Sequence, residues 1–196
     1  MQKEKNHIEE LNKTLAAVCG LYCEACSLFI GTNEDPARLL RIAKQFHISE
    51  EAAKCYGCRS TKRGPYCKNC KMFSCAAEQG IDFCNECAQY PCSYLKQFQS
   101  EMPHRAELWD DLEHIKIFGC KHWLKSIQNN YSCPQCGCIN SAYDSKCRKC
   151  GKEPSCEYVA KHKETIETYM KNRWCSPERC KAVRSSGSDF QTVDKA

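Results

Sequence analysis

The sequence predicts a mostly α-helical, metal-stabilised, cysteine-rich fold, with small β elements at metal-binding knuckles and in a zinc ribbon. Three observations predict it. The 196 residues include 20 cysteines, most of them in C-x-x-C pairs. Without the cysteines only roughly a third of the chain is apolar, too little to close a core of this size unaided. The apolar residues that remain recur three and four apart, at helical spacing. Such a chain needs staples, either disulfides or metal. The N-terminus, MQKEKNHIEELNKTLAAVC, is charged and has no apolar core of signal-peptide length. No apolar run approaches a membrane span. A cytoplasmic, membrane-free protein is therefore expected, and in reducing surroundings C-x-x-C pairs read as metal ligands.

Taken in order, residues 1–17 form an N-terminal segment. Ile8, Leu11 and Leu15 there predict an exposed helix over 3–17. Residues 18–130 read as a cysteine-rich helical metal-binding domain. It begins with Cys19, Cys23 and Cys26, spaced C-x3-C-x2-C. Radical S-adenosylmethionine enzymes use that spacing on a β/α barrel. This chain is short and shows no strand–helix alternation after the motif, which argues against that class. Asp35-Pro36 is a helix start, and Leu39, Leu40, Ile42, Ala43 and Phe46 give that helix one apolar face to about His47. A short helix from Ser49 leads to Cys55.

Cys55 and Cys58 form a knuckle around Gly57, where glycine permits the turn about a metal. An internal repeat follows. YCKNCKMFSC, residues 66–75, aligns without gaps on FCNECAQYPC, residues 83–92. Cys67 matches Cys84, Cys70 matches Cys87 and Cys75 matches Cys92. Tyr66 matches Phe83, and Phe73 matches Tyr90. These aromatics are expected to cover the sulfurs from water rather than to stack on bases. A helical turn from Met72 closes at Gly80, and a further helix starts near Ser93 with Tyr94, Leu95 and Phe98 on one face. Residues 104–128 predict helix with a break at Gly119. Leu108, Trp109, Leu112, Ile115, Trp123, Leu124 and Ile127 are its core positions.

Residues 131–155 carry the most specific motif, CPQCGCINSAYDSKCRKCG. Cys133, Cys136, Cys147 and Cys150 are spaced C-x2-C-x10-C-x2-C, with glycine after each knuckle. This is the sequence form of a zinc ribbon: four thiolates complete tetrahedral zinc, so the site is closed and structural. Cys138 lies between the knuckles and is not expected to be a ligand. Residues 156–184 predict a last helix over 156–173 and a basic segment, with Cys156, Cys175 and Cys180 unassigned. Residues 185–196 read as a disordered tail.

The formal charge is +5, but each four-thiolate zinc site changes the sum by −2, so three such sites would take it to −1. The remaining basic excess lies in Lys146, Arg148, Lys149, Lys152, Lys161 and Lys163, where an unknown protein or nucleic-acid partner would bind.

The motifs CGLYC-x-x-C, C-x-G-C, C-x-x-C-x4-C and F-C-x-x-C-x-x-Y-P-C, followed by HRAELWDDLEHIKIFG, resemble the cysteine-rich family called domain of unknown function 3795. The resemblance runs from about Cys19 to Leu124, with the ribbon as a C-terminal extension. It implies a metal-binding, zinc-binding cytosolic domain of anaerobes, and no activity.

The ligand arithmetic stays open. Cys19, Cys23, Cys26, Cys55, Cys58, Cys67, Cys70, Cys75, Cys84, Cys87 and Cys92 are eleven, not a multiple of four. Two full sites leave three over; three sites need a twelfth ligand, for which Cys120 and His122 are candidates. Two to four zinc ions per chain are expected. The sequence favours a non-catalytic, multi-site zinc module that docks protein or nucleic acid, since it has no Gly-rich phosphate loop or nucleotide motif. The alternative is an iron–sulfur redox or sensor protein. An enzyme using a spare thiol such as Cys75, Cys92 or Cys138 ranks last, because no base pairs with any of them.

Overall fold

The computed structural model describes residues 13–174. The fold is mostly helical. Its helices are α1 (Ser27–Asn33), α2 (Pro36–Phe46), α3 (Glu50–Ala53), α4 (Lys71–Gln79), α5 (Ser93–Ser100), α6 (Leu108–Phe118), α7 (Cys120–Tyr131), α8 (Glu157–Lys161) and α9 (Lys163–Trp174). Single 3-10 turns lie at Cys23–Ala25, Cys84–Glu86 and Pro103–Arg105.

Several helices begin where local chemistry dictates. The Asp35 carboxylate accepts the Arg38 N–H at 2.9 Å, with Pro36 at the first helical position of α2. The Ser49 hydroxyl caps α3 through the Ala52 N–H at 3.2 Å. Gly80 closes α4 at a φ of +65°. Gly119, at φ +81°, separates α6 from α7.

Other expectations change. Residues 3–12 of the expected N-terminal helix lie outside the described residues, and Thr14–Ala17 form a turn in which Ala16 bridges to Tyr22. Helix α1 follows Cys26 directly, where no helix was expected. The last helix is two, because the chain turns at His162 between α8 and α9. The β elements expected in the ribbon reduce, among the described residues, to one isolated bridge, Ser132 with Ile139. Cys175, Cys180 and the 185–196 tail lie outside the described residues.

The main core gathers Leu95, Leu108, Leu112 and Trp123, all fully buried, with Tyr158 between α7 and the Pro103 turn. Leu112 sits under Gly20, where an added Cβ would come within 2.8 Å of its Cγ. Trp109 packs only partly into this core, whereas Ile115, Leu124 and Ile127 are buried as the periodicity requires. A smaller core holds Leu28, Leu39, Ala43 and Ala53. Leu40 of the predicted α2 face points outward. Cysteines belong to both cores: Cys19, Cys23 and Cys58 to the first, Cys55 to the second.

The 133–150 segment is pinned to α1 and α2. The Arg38 guanidinium makes two bonds to the Asp144 carboxylate, at 2.9 and 3.1 Å, and a third to Asp35 at 3.1 Å. Asp144 also accepts the Ser141 N–H at 2.8 Å, and Ser27 meets Ser141 at 3.0 Å. Arg148 pairs with Glu34.

Candidate metal centre

Cys133, Cys136, Cys147 and Cys150 are held by two knuckles that repeat each other bond for bond. In the first, the Cys133 N–H donates to the Cys138 carbonyl at 2.9 Å and the Gly137 N–H donates back to the Cys133 carbonyl at 2.9 Å. In the second, the Cys147 N–H donates to Lys152 at 2.8 Å and Gly151 to Cys147 at 2.9 Å. Gly137 and Gly151 both have positive φ, +70° and +75°, which is why glycine follows each pair.

The result is a tight group. Among the described residues, these four are the set of three or more potential ligands whose ligand atoms all lie within 4.8 Å. Cys133 Sγ stands 3.6 Å from Cys150 Sγ, and Cys136 Sγ 3.6 Å from Cys147 Sγ. A tetrahedron with metal–sulfur bonds of about 2.3 Å has edges of about 3.8 Å. The Gln135 N–H donates to Cys133 Sγ at 3.4 Å. At Cys147, burial raises the thiol, but the Cys150 and Lys149 N–H groups outweigh it and favour the thiolate. Four cysteines so placed can bind a metal ion. Cys138 lies apart from them, its thiol directed to its neighbour's carbonyl.

The eleven cysteines of 19–92 are arranged differently. Cys19, Cys23, Cys55 and Cys58 are buried; Cys75 is exposed; the other six are half-buried. All are free thiols. The C-x3-C-x2-C motif borders several other sulfurs. Burial pushes the Cys19 thiol well up, and the sulfurs that add to this are Cys58, Cys70 and Cys84. Cys23 is also raised by burial, and its sulfur neighbours are Cys58, Cys26 and Cys55. Cys26 faces Cys55. Cys58 is thus the first sulfur neighbour of both Cys19 and Cys23.

Backbone contacts position these neighbours. Cys23 and Cys26 end one 3-10 turn, with the Cys26 N–H on the Cys23 carbonyl at 3.0 Å. The Cys55 N–H donates to the Thr32 hydroxyl of α1 at 2.9 Å. Gly64 packs with its Cα side on Cys55 and accepts the Cys67 N–H at 2.9 Å, so Cys67 joins the same neighbourhood. The Cys58 N–H donates to Cys23 Sγ at 3.4 Å. On the other side, Val18 holds Cys58 and Cys84 together. Its N–H lies where it favours the Cys58 thiolate, and its carbonyl accepts the Cys84 N–H at 2.8 Å. Burial also lifts the Cys84 thiol, to about 12, and its neighbours in order are Cys92, Cys75, Cys70 and Cys87.

The sequence repeat is not a structural repeat. In the first copy Cys70 immediately precedes α4 and Cys75 lies inside it. In the second, Pro91 stands where the first has Ser74, so the chain turns after Cys87 and α5 begins only after Cys92. Proline has no N–H for the helix ladder, so the last cysteine of each copy is presented by a different element. The aromatics differ too: Phe83 is buried at 4 % exposure, but its counterpart Tyr66 is 57 % exposed. Tyr66 is not a cover for sulfur.

The two candidates for a twelfth ligand have other neighbours of their own. Cys120 sits beside Arg59, Lys13 and Asp82. His122 Nδ1 meets His114 Nε2 at 2.8 Å and rests against Phe118. That histidine pair was not anticipated; the Gly119 break, which turns α7 back on α6, was the available signal. Asp111 was also missed. It is largely buried, accepts the Trp123 indole N–H at 2.8 Å, and burial raises its carboxyl to about 7.

The geometry defines a cysteine-rich helical protein able to bind metal. Residues 15–97 match the family described as "Protein of unknown function (DUF3795)". That segment contains all eleven cysteines, ends short of Leu124, and leaves the 133–150 group as a C-terminal, zinc-ribbon-like extension. No curated protein and no solved structure matches the chain. No helix among the described residues is long and apolar enough to cross a membrane.

Proposed function

We propose that this is a metal protein with two kinds of centre: one structural zinc at Cys133, Cys136, Cys147 and Cys150, and iron–sulfur clusters held by Cys19–Cys92 that carry electrons or sense redox state. The observation that carries this reading is sulfur spacing. In the ribbon the sulfurs touch at 3.6 Å, as four ligands of a single ion must. Among the other eleven no set of three closes to within 4.8 Å, although their sulfurs lie within electrostatic reach of one another. Thiolates that each take their own iron of one cluster stand further apart than thiolates sharing one zinc. Burial beside the apolar core and N–H groups aimed at Cys23 and Cys58 supply two levers that tune a cluster's potential, low polarity and hydrogen bonds to sulfur.

Anaerobic purification followed by metal, sulfide and absorption analysis tests this. One zinc per chain with iron, sulfide and a brown colour is expected. Several zincs, no iron and no colour would overturn it.

That second outcome corresponds to a second reading, an all-zinc module that docks protein or nucleic acid. One feature favours it. Tyr66 and Tyr94 are 57 % and 56 % exposed, and Lys71 lies 4.7 Å over the Tyr94 ring, an aromatic and basic face that a partner could use. Metal analysis separates the two readings before any partner is sought.

A further inference from the structure

We propose that the loop from Lys54 to Lys71, with Tyr66 and Tyr94 as stacking platforms, is a binding face for single-stranded RNA. Such a face narrows the partner left open in the second reading above and rests on neither metal assignment.

Residues 54–71 carry six basic side chains, Lys54, Arg59, Lys62, Arg63, Lys68 and Lys71, and no acidic one. Glu51 pairs with both Lys54 and Lys62, and Asp82 pairs with Arg59. Arg63, Lys68 and Lys71 take part in none of the ion pairs among the described residues. The six basic residues singled out in the C-terminal third differ. Lys146 pairs with Glu153, Arg148 with Glu34, Lys161 with Glu107 and Lys163 with Glu167, which leaves Lys149 and Lys152. Two acids thus answer six bases in the central loop, and four acids answer six bases in the C-terminal third. Counting one four-thiolate zinc centre at −2 against each region cancels what remains in the C-terminal third and leaves +2 in the loop. The stronger electrostatic footprint is at 54–71, not at 146–163 where the sequence placed it.

Aromatic rings lie among these cations. A turn from Gly64 carries Tyr66 and Lys68, because the Cys67 and Lys68 N–H groups both donate to the Gly64 carbonyl, at 2.9 and 3.0 Å. Just before the turn, Arg63 stacks on the Phe73 ring of α4 at 3.9 Å. Just after it, Lys71, the first residue of α4, lies 4.7 Å over the Tyr94 ring of α5. Tyr66 leans edge-on against Phe46, at the end of α2, at 4.9 Å. Tyr66 and Tyr94 are both exposed, so two rings flank a loop of bases and each is steadied by a neighbour.

Rings and cations together select the partner. An acidic peptide answers the cations but need not answer the rings. A duplex keeps the faces of its bases inside the stack. A single strand answers both, with phosphates for Arg63, Lys68 and Lys71 and base faces for Tyr66 and Tyr94. Unpaired bases within reach of aromatic side chains occur chiefly in the loops, bulges and ends of RNA. Asn69, exposed beside Lys68, adds an amide that can bond a base edge or a 2′-hydroxyl.

The experiment uses the full chain, purified without oxygen and with its metal in place. The probe is a fluorescent single-stranded RNA of mixed sequence, about twelve nucleotides long. Anisotropy should show binding that weakens with salt, and a duplex RNA of the same length and polyglutamate should both compete poorly. Tyr66→Ala and Tyr94→Ala should each weaken binding about tenfold, while Tyr94→Phe keeps it. Lys68→Gln and Lys71→Gln should each lower the slope of log affinity against log salt by about 0.7. Lys149→Gln and Lys152→Gln should change neither quantity. Lys68 and Lys71 are exposed, so their variants decide the matter if Tyr66→Ala, which loses its contact with Phe46, fails to fold. Absence of binding, equal competition by the duplex or by polyglutamate, or losses confined to the Lys149 and Lys152 variants would overturn the proposal. A protein partner captured at this face without RNA binding would also overturn it, while leaving the docking reading intact. RNA binding with the expected variant pattern supports it whether the chain carries zinc or iron.

Discussion

The ribbon at 133–150 and the cysteine cluster at 19–92 solve the same problem in opposite ways. The ribbon takes all four thiols from one short stretch, and its two knuckles close by hydrogen bonds within six residues of each cysteine. The cluster draws its thiols from turns, helix starts and loops separated by up to 73 positions, from Cys19 to Cys92. A local group comes together at little entropic cost, because loop closure over a few residues costs little entropy. A distributed group assembles only as the chain folds around it, so a metal held there would be part of the core. The location of Cys19, Cys23 and Cys58 within the main apolar group says the same.

The largest expected effect follows from that contrast. Stripping metal should cost both regions, but unequally. Structural zinc sites contribute about 10 kcal/mol or more to the folding of the segment they close. Cys136→Ser should therefore melt the ribbon and leave the rest helical. Cys58→Ser should lower helicity across α1 to α7, since a buried sulfur shared between core and centre is lost. Circular dichroism and hydrogen exchange on both variants check this; equal, global loss in both would erase the distinction between local and distributed centres.

The next effect sharpens the boundary of the cluster's apolar support. Leu112 is fully buried and packs directly under Gly20, next to Cys19. Leu112→Ala should cost about 3 kcal/mol and loosen the cysteine cluster with it. Gly20→Ala, which must place a Cβ 2.8 Å from Leu112 at a φ of +85°, should cost about 2 kcal/mol. Denaturant titration gives both. Neither change should alter zinc retention by the ribbon.

The link between the regions comes third. Arg38 joins Asp35 and Asp144 through three bonds, with side-chain exposures of 10 % for Arg38 and 17 % for Asp144. Removing one partner of such a pair leaves a desolvated charge, which costs about 3 kcal/mol. Arg38→Met should therefore release the ribbon from α1 and α2 without unfolding it, seen as faster hydrogen exchange in both faces of that contact. The double change Arg38→Met with Asp144→Leu should recover most of the loss.

What the sequence reveals follows the same division. The close approach of Cys133, Cys136, Cys147 and Cys150 could be read because spacing, glycines and geometry are all local. Helices α2, α4 and α5 were legible from caps, periodicity and closing glycines. The meeting of Val18 with segments 58 and 84 was not, because it depends on contacts of long sequence separation. The repeat misled for a physical reason: ten aligned residues suggest equal structures, yet the single exchange of Ser74 for Pro91 forbids the helix in the second copy. Tyr66 was assigned as cover by analogy with Phe83, and exposure of one partner and burial of the other shows that register does not fix environment.

The smallest expected effect is a pH dependence that belongs to neither metal region. Asp111 is hydrogen-bonded to Trp123, which lowers its carboxyl, but burial dominates, with Glu107 and Asp110 adding to the rise and Lys161 opposing it. Its folded value of about 7 lies above the 3.8 of a free aspartate. The folded chain thus holds a proton that the unfolded chain releases. The stabilisation is complete below the unfolded value and is lost as pH rises through the folded one. Stability should fall between about pH 5 and pH 8 by roughly 2 kcal/mol, against the gain that metal sites make as their thiols deprotonate. Asp111→Asn keeps the indole bond and removes the titration. Urea titration at both pH values, with metal held constant, should show the variant losing less stability than the wild type on raising pH; parallel curves would mean that Asp111 ionises in the fold without cost.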